Sequence, residues 1–310
     1  MTMLLNSIIQ ILLLGGKMAQ LVDIKKDFDL GNRFLLDTAT ELASSLGDEY
    51  RVVVKYDLQN YTFPTDGKKH ILFSLSNETH QFPRYMNEES AFLIFHNYSA
   101  LDNWGYPVVN PKFFPLPLGT FINNIEQNIE EIKPTSEREY DFCFVGQLPS
   151  TGTRDKFKRC LDNMLEKTGD KYKYYVKYTE AFGKGLNHQE YVELLNNSKI
   201  CLCPIGGFSD ESFRFFEAIK LGAFPMVERL PRFWYYENAP LFFTRWQFLD
   251  NYLEECLNLL NNTDVSVLTK NLSDYHNMIL EPDNLSKILK NIIDEKEQYT
   301  NKLQDSLQPS

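Results

Sequence analysis

Between residues 140 and 227 the chain repeats one rhythm: a short apolar run, an amphipathic stretch, then another short apolar run. YDFCFVG (140–146), KYKYYVKY (171–178), ICLCP (200–204) and AFPMV (223–227) are rich in aromatic, β-branched and Cys side chains, as strands are. The stretches between them, TRDKFKRCLDNMLEKTG (153–169), NHQEYVELLNNSK (187–199) and the segment from Glu211 to Leu221, carry apolar residues at helical spacing. Gly169 closes the first helix and Asn187 is placed to cap the second. Strand–helix–strand order joins parallel strands through crossovers, so this half predicts a doubly wound α/β sheet. LFFT (241–244) reads as a further short strand, and helical segments follow around 245–261, 263–280 and 284–305.

The first half alternates in the same sense. GNRFLLDTATELASSLG (31–47) predicts a helix that stops at Gly47, and RVVVKYDL (51–58), HILFSL (70–75) and AFLIFHNY (91–98) predict strands. VVNPKFFPLPLG (108–119) is Pro-rich and extended, and a polar, acidic stretch containing Pro134 follows it to Glu139; together they read as the connection between two domains. At 310 residues the chain has room for two. The expected division is 1–122, 123–283, and a C-terminal helix over 284–310 that crosses back to the first domain.

Net charge is −10 and the pI about 5.1, which argues against a nucleic-acid or anionic-membrane binder. Any phosphate must be held by a local pocket. The five cysteines are odd in number, and three lie in apolar runs, which fits reduced thiols and a cytoplasmic, reducing compartment. Cys201-Leu-Cys203 lacks the spacing of a zinc knuckle, and no metal is expected. The opening MTMLLNSIIQILLLGG is apolar for about a dozen residues, short of the ~20 that span a bilayer, with no positive charge before it. Residues 1–17 are read as an extension ahead of Met18 or a terminal helix. No transmembrane segment is expected, and peripheral membrane association stays open.

Ligands of parallel sheets bind beyond the carboxyl ends of the strands. After YDFCFVG comes GQLPSTGTR, in which Gly146 allows close backbone approach and Arg154 falls in the first turn of the next helix. It is not a P-loop, because no Gly-Lys-Ser/Thr ends it. After ICLCP comes IGGFSDES, where Ser209, Asp210 and Ser212 can each cap a helix whose positive end favours an anion. On that helix Phe215, Phe216 and Ile219 share one side, and Arg214 and Glu217 share the other. An Arg–Glu pair one turn apart is often a solvated surface pair. At a strand end the same two groups suit a ribose-diphosphate: the guanidinium for phosphate, the carboxylate for two vicinal hydroxyls.

Ser212, Arg214, Glu217, Ala218, Gly222 and Pro225 fill the pattern Ser-x-Arg-x-x-Glu-Ala followed by Gly-small-x-Pro-Val, after an apolar-Cys-Leu-x-Pro strand and a Gly loop. The segment ICLCPIGGFSDESFRFFEAIKLGAFPMV thereby resembles the nucleotide-binding signature of exostosin-like glycosyltransferases. The likeness covers about residues 140–230. It implies a GT-B fold of two Rossmann-like domains with parallel sheets facing an interdomain cleft, the acceptor on residues 1–122 and the donor on 123–283. It also implies a UDP-sugar donor (xylose, glucuronate, galactose or glucose), a glycan or glycoconjugate acceptor, inversion, and no essential metal or other cofactor. By the same likeness, Arg214 neutralises phosphate, Glu217 holds the ribose, Gly146, Arg154 and Ser212 line the nucleotide site, and Tyr178 and Phe182 lie near the base. Gly222 and Pro225 turn the chain into the next strand beneath the site.

Inversion needs a general base for the acceptor hydroxyl. FSLSNETHQFP (73–83) offers Glu78 and His80 after a strand, and FHNYSALDNW (95–104) offers His96 and Asp102, with Trp104 as a sugar platform; Asp57 is a further candidate. Three rivals remain. A metal-dependent transferase wants Asp-x-Asp after a strand, and the one such triplet, Asp27-Phe28-Asp29, precedes a helix. A GDP-fucose transferase of the same fold wants Tyr-x-x-Glu-Lys, which is missing. A binding module without turnover would share the ribose-diphosphate grip.

Overall fold

The computed structural model describes residues 19–24, 33–55, 65–75, 91–97, 112–120, 131–148, 153–181, 184–206, 211–262 and 264–307. The chain divides into two compact units, one of residues 1–116 with 281–310, the other of 117–280.

The first unit holds five parallel strands in the order β1-β2-β3-β4-β5. They are Gln20–Ile24, Tyr50–Lys55, Lys69–Ser74, Ala91–Asn97 and Phe113–Leu116. Val52 to Val54, Ile71 to Phe73 and Leu93 to Phe95 are buried without alternation, as strands of a parallel sheet covered on both faces are. Helix α1 (Arg33–Ser45) buries Leu35, Leu42 and Ala39. The last helix of the chain, α7 (Pro282–Leu307), packs on α1 and buries Leu285, Leu289 and Ile293, one residue per turn. Lys69 at the start of β3 pairs with Glu297 of α7. Two elements differ from the sequence reading. The short run QLVDI forms β1, and part of the Pro-rich stretch joins the sheet as β5, with Pro115 opposite His96. A proline lacks the N–H of a central strand but is tolerated on an edge, where one side needs no partner.

The second unit holds β6 (Tyr140–Gln147), β7 (Tyr174–Thr179), β8 (Ser198–Leu202), β9 (Phe224–Val227) and β10 (Phe242–Phe243), all parallel. Around them stand α2 (Thr153–Thr168), α3 (His188–Asn196), α4 (Phe213–Lys220), α5 (Leu249–Asn262) and α6 (Val265–Tyr275). Asn187 caps α3 as expected, within a capping box closed by Glu190. Phe142, Phe144, Phe157, Phe215 and Phe216 are fully buried and fill the core. Two Rossmann-like units in one chain are the domain make-up of the GT-B class.

The strand order is β10-β9-β8-β6-β7. The chain runs from β6 outward to β7, then returns to the other side of β6 for β8. Connections therefore leave β6 and β8 in opposite directions, the switch point beyond whose carboxyl ends ligands of such sheets bind. This is where the chain places Gly146, at the end of β6, and Ser212, at the start of α4.

The far end of α4 is held from elsewhere. Its last turn closes with Gly222 N–H donating to Ile219 O at 3.0 Å and Ala223 N–H to Ala218 O at 2.9 Å, a Schellman cap. Gly222 has φ +71, and a Cβ there would lie 2.5 Å from Arg138 Nη2 and 2.7 Å from Ile132 Cγ2. Arg138 is buried and donates to the carbonyls of Lys133, Leu195, Ser198 and Leu221 at 2.9 to 3.1 Å. One guanidinium thus ties the segment before β6 to the ends of α3 and α4.

Candidate active site

Arg214 leaves the first turn of α4 and reaches across to β6. Its Nη2 donates to Val145 O at 2.6 Å, and its guanidinium carbon stands 4.8 Å from the centre of the Phe144 ring. Gly146 makes this approach possible: a Cβ on residue 146 would sit 2.3 Å from Nη2 and 3.3 Å from Cζ. Nε and Nη1 of Arg214 are out of solvent and have no hydrogen-bond acceptor. Burial works against the charge, yet Tyr191, Cys201, Cys203 and Glu217 nearby outweigh it and raise the pKa. The site therefore keeps a full positive charge with two donors unspent.

Glu217 lies one turn further on and is 4% exposed. Its Oε2 accepts from the Tyr191 hydroxyl of α3 at 3.0 Å. Burial first, then the Glu217 charge, push the Tyr191 hydroxyl well above its ordinary pKa, so it stays a donor. The surface-pair reading of Arg214 and Glu217 does not describe this helix: one group spans to β6, and the other is buried beneath α3.

Ser212 occupies the cap position of α4 with extended backbone, but its side chain makes no capping bond. The expectation that it caps is corrected on that point. Its carbonyl accepts from Phe215 N–H at 3.1 Å. Arg154, on the first turn of α2, donates from Nε to Ile205 O at 2.7 Å and from Nη1 to Gln147 O at 2.8 Å. It thereby clasps the two chain segments that leave β6 and β8. Tyr178 is the register partner of Gly146, but its hydroxyl donates to Asp162 of α2 at 2.5 Å, and Lys158 Nζ lies 4.7 Å from its ring centre. Its polar end faces α2.

Phe182, Glu78, His80, Asp102, Trp104, Asp57, Ser209, Asp210, the triplet 27–29 and residues 1–17 fall outside the described residues. His96 is described. It ends β4 with Asn97, pairs in register with Ser74 of β3, and is 4% exposed, with its ring 5.5 Å from Phe113. Cys143 and Cys201 are register partners beneath the site, and Cys203 Sγ donates to Cys201 O. The Cys201 thiol at the Cys143 sulfur, and burial, hold Cys143 well above its ordinary pKa. Among the described residues no group of three or more His, Cys, Asp or Glu is arranged for a metal ion, and no helix is long and apolar enough to cross a membrane.

Two contributors escaped the sequence reading. Tyr191 reads as one apolar-face residue of α3, and only the fold brings it to Glu217, 26 positions away. Glu211 reads as the polar first residue of the helical segment, whereas α4 begins at Phe213 and leaves Glu211 just ahead of it. It is 2% exposed, and its Oε1 accepts from Tyr235 and Tyr236 hydroxyls at 2.7 and 3.0 Å.

No curated protein sequence matches the chain. Among solved structures, an α-glucosyltransferase in complex with UDP and a 13-mer DNA superposes with a TM-score of 0.44, at 10% identity over 80% of each chain. A sucrose-phosphate synthase from Thermosynechococcus elongatus gives 0.38, at 10% identity over 88% of this chain and 77% of that one. An α1,3-fucosyltransferase gives 0.41, at 13% identity over 78% and 77%. Likenesses this loose add no weight of their own. The pattern of the RXYLT1 C-terminal domain is different in kind, for it matches residues 122–281, just over half the chain, and takes in β6 to the end of the π-helical turn after α6. On that match, which includes the Arg214–Glu217 helix, the chain belongs to the RXYLT1 C-terminal domain family of exostosin-like glycosyltransferases.

Proposed function

We propose that the protein transfers a sugar from a UDP-sugar to a hydroxyl of a glycan acceptor, with inversion and without an essential metal. One observation carries the reading: Arg214 Nε and Nη1 are enclosed without an acceptor at the carboxyl end of β6, while Nη2 is fixed on Val145 O. A buried donor left without a partner costs about 1–3 kcal/mol, more when charged, and a diphosphate would remove that cost. Charge-assisted, forked hydrogen bonding to phosphate is what guanidinium geometry favours. The N-terminus of α4 adds a partial positive charge in the same place, and the Ser212 hydroxyl, bound to no helix amide, is a further donor.

Glu217 has the role of accepting from ribose hydroxyls, oriented by Tyr191. Arg154 and Gly146 shape the rim, the first by holding the β6 and β8 exits together and the second by admitting the guanidinium. In the reaction the acceptor oxygen bonds to the anomeric carbon as that carbon's bond to the β-phosphate oxygen breaks. The hydroxyl proton passes to a general base, and UDP leaves with the electron pair, its charge met by Arg214 and the helix end. Glu78, His80, Asp102 and His96 are the candidate bases, and UDP-xylose, UDP-glucuronate, UDP-galactose and UDP-glucose the candidate donors.

The test is UDP release from each of the four donors in the presence of glycan acceptors, with and without EDTA. Arg214→Ala should lower the rate by about 10²–10³, the usual loss when one donor to developing charge is removed. Unchanged turnover in that variant overturns the assignment. Loss of activity in EDTA that Mn²⁺ restores overturns the metal-free mechanism.

A further inference from the structure

The buried carboxylate of Glu211 takes no part in the chemistry above, yet it sits directly ahead of the helix that carries that chemistry. It is 2% exposed and accepts two tyrosine hydroxyls, from Tyr235 at 2.7 Å and Tyr236 at 3.0 Å. Both tyrosines lie on a single 3-10 turn, Trp234–Tyr236, after β9. Their hydroxyls are kept protonated by burial and then by the Glu211 charge, so each is a donor. The turn is held in its own right: Tyr275 of α6 donates to Tyr235 O at 2.7 Å. Tyr236 also packs its ring against α4, edge-on to Phe215 at 5.2 Å and stacked on Phe216 at 5.9 Å. A chain of contacts thus runs from α6 through Tyr235 to Glu211, and from Glu211 into the first turn of α4.

That first turn needs an outside hold. Ser212 supplies no side-chain cap, and α4 has eight residues, about 12 Å at 1.5 Å each. Two turns cannot fix their own start. Arg214 lies three residues beyond Glu211, and its target is narrow: Nη2 is 2.6 Å from Val145 O, over a glycine that leaves no slack. A small tilt at residue 211 moves the guanidinium off both.

We propose that Glu211 is a positioning residue: held by the Tyr235 and Tyr236 hydroxyls, its carboxylate pins the start of α4 and so aims Arg214 at the donor's phosphates. This rests on the donor reading above. The side chain of Glu211 touches no substrate in this role. It acts only through Arg214, and a double-mutant cycle isolates that dependence.

The measurement is UDP affinity by calorimetry, or by ligand-observed NMR for weak binders, at a temperature where circular dichroism shows each variant folded. Glu211→Ala should raise the Kd for UDP about tenfold, and Glu211→Gln, which keeps an acceptor oxygen in place, should recover most of that loss. Paired with Arg214→Ala, the Glu211→Ala change should cost less than twofold further. If Glu211→Ala does not fold, Tyr235→Phe with Tyr236→Phe replaces it and carries the same expectations. The same fold-loss with and without Arg214, or unchanged affinity in the Glu211 or paired tyrosine variant, overturns the positioning role and leaves the donor reading intact. A wild type that takes no UDP overturns the donor reading, and this role with it.

Discussion

Gly146→Ala tests the site through a residue that carries no charge and touches the guanidinium only by leaving it room. The added methyl would lie 2.3 Å from Arg214 Nη2, 3.3 Å from Cζ and 3.4 Å from Phe144 Cζ. Ordinary contact begins near 3.4 Å, so the guanidinium must withdraw by about 1 Å, since the strand backbone is less free to move than a side-chain tip. Gly146 is not among the glycines with positive φ, so alanine fits the backbone there. What is lost is the bond to Val145 O, about 1.5–3 kcal/mol for a hydrogen bond from a charged group, with part of the Phe144 contact. If the diphosphate depends on the guanidinium in that place, UDP affinity falls about 10- to 100-fold. The melting temperature should fall by roughly 3–12 °C, at 2–4 °C per kcal/mol for a unit of this size. Gly222→Ala is the control. There φ is +71 and the methyl meets Arg138 and Ile132, so stability should fall while the folded fraction binds UDP as before. Calorimetric titration with UDP beside thermal melts reads both. Wild-type UDP affinity in Gly146→Ala would refute the claim that Arg214 binds phosphate from this position.

Further outcomes follow from the same contacts. Glu217→Gln keeps the acceptor for Tyr191 and should weaken UDP binding about tenfold with the melting temperature within a few degrees; calorimetry that finds no weakening removes the ribose role. Arg138→Met strips four carbonyls of their donor and should cost about 3–5 kcal/mol in urea unfolding, a loss that appears in the transition midpoint. Burial, and then the neighbouring Lys112 charge, hold Lys296 at about 8, below an unfolded value near 10.5. The unfolded chain therefore binds the extra proton between those values, and this group makes stability rise with pH across pH 8 to 10.5. Lys296→Met should flatten that part of the urea-midpoint profile.

The elements that position the site were largely legible, because parallel strands buried on both faces read as continuous apolar runs. Val52–Val54, Cys143–Val145 and Ile200–Leu202 announce themselves in this way. The motif from Ser212 to Pro225 gave the residues of α4 and the turn at Gly222. Pairings across the fold were not legible. Chain order does not state that β8 returns beside β6, and that reversal is what makes the switch point. Arg138 sits in a polar, acidic stretch and reads as solvated, yet its partners are carbonyls, which leave no trace in side-chain pattern. Glu211 and its tyrosines lie 24 and 25 positions apart. The Pro-rich stretch around Pro115 reads as an extended connection, and only an edge position, itself a matter of sheet order, admits it as a strand.

Helix α4 is gripped at both ends by buried side chains from other parts of the second unit: tyrosine hydroxyls on Glu211 at its start, and the Arg138 guanidinium on Leu221 at its finish. Both ends of this two-turn helix are thus fixed by contacts outside it. Transplanted by itself into another scaffold, the Ser-to-Pro motif would arrive without its anchors. The portable piece is the whole stretch from Lys133 to Tyr275, because the clamps are spread along it.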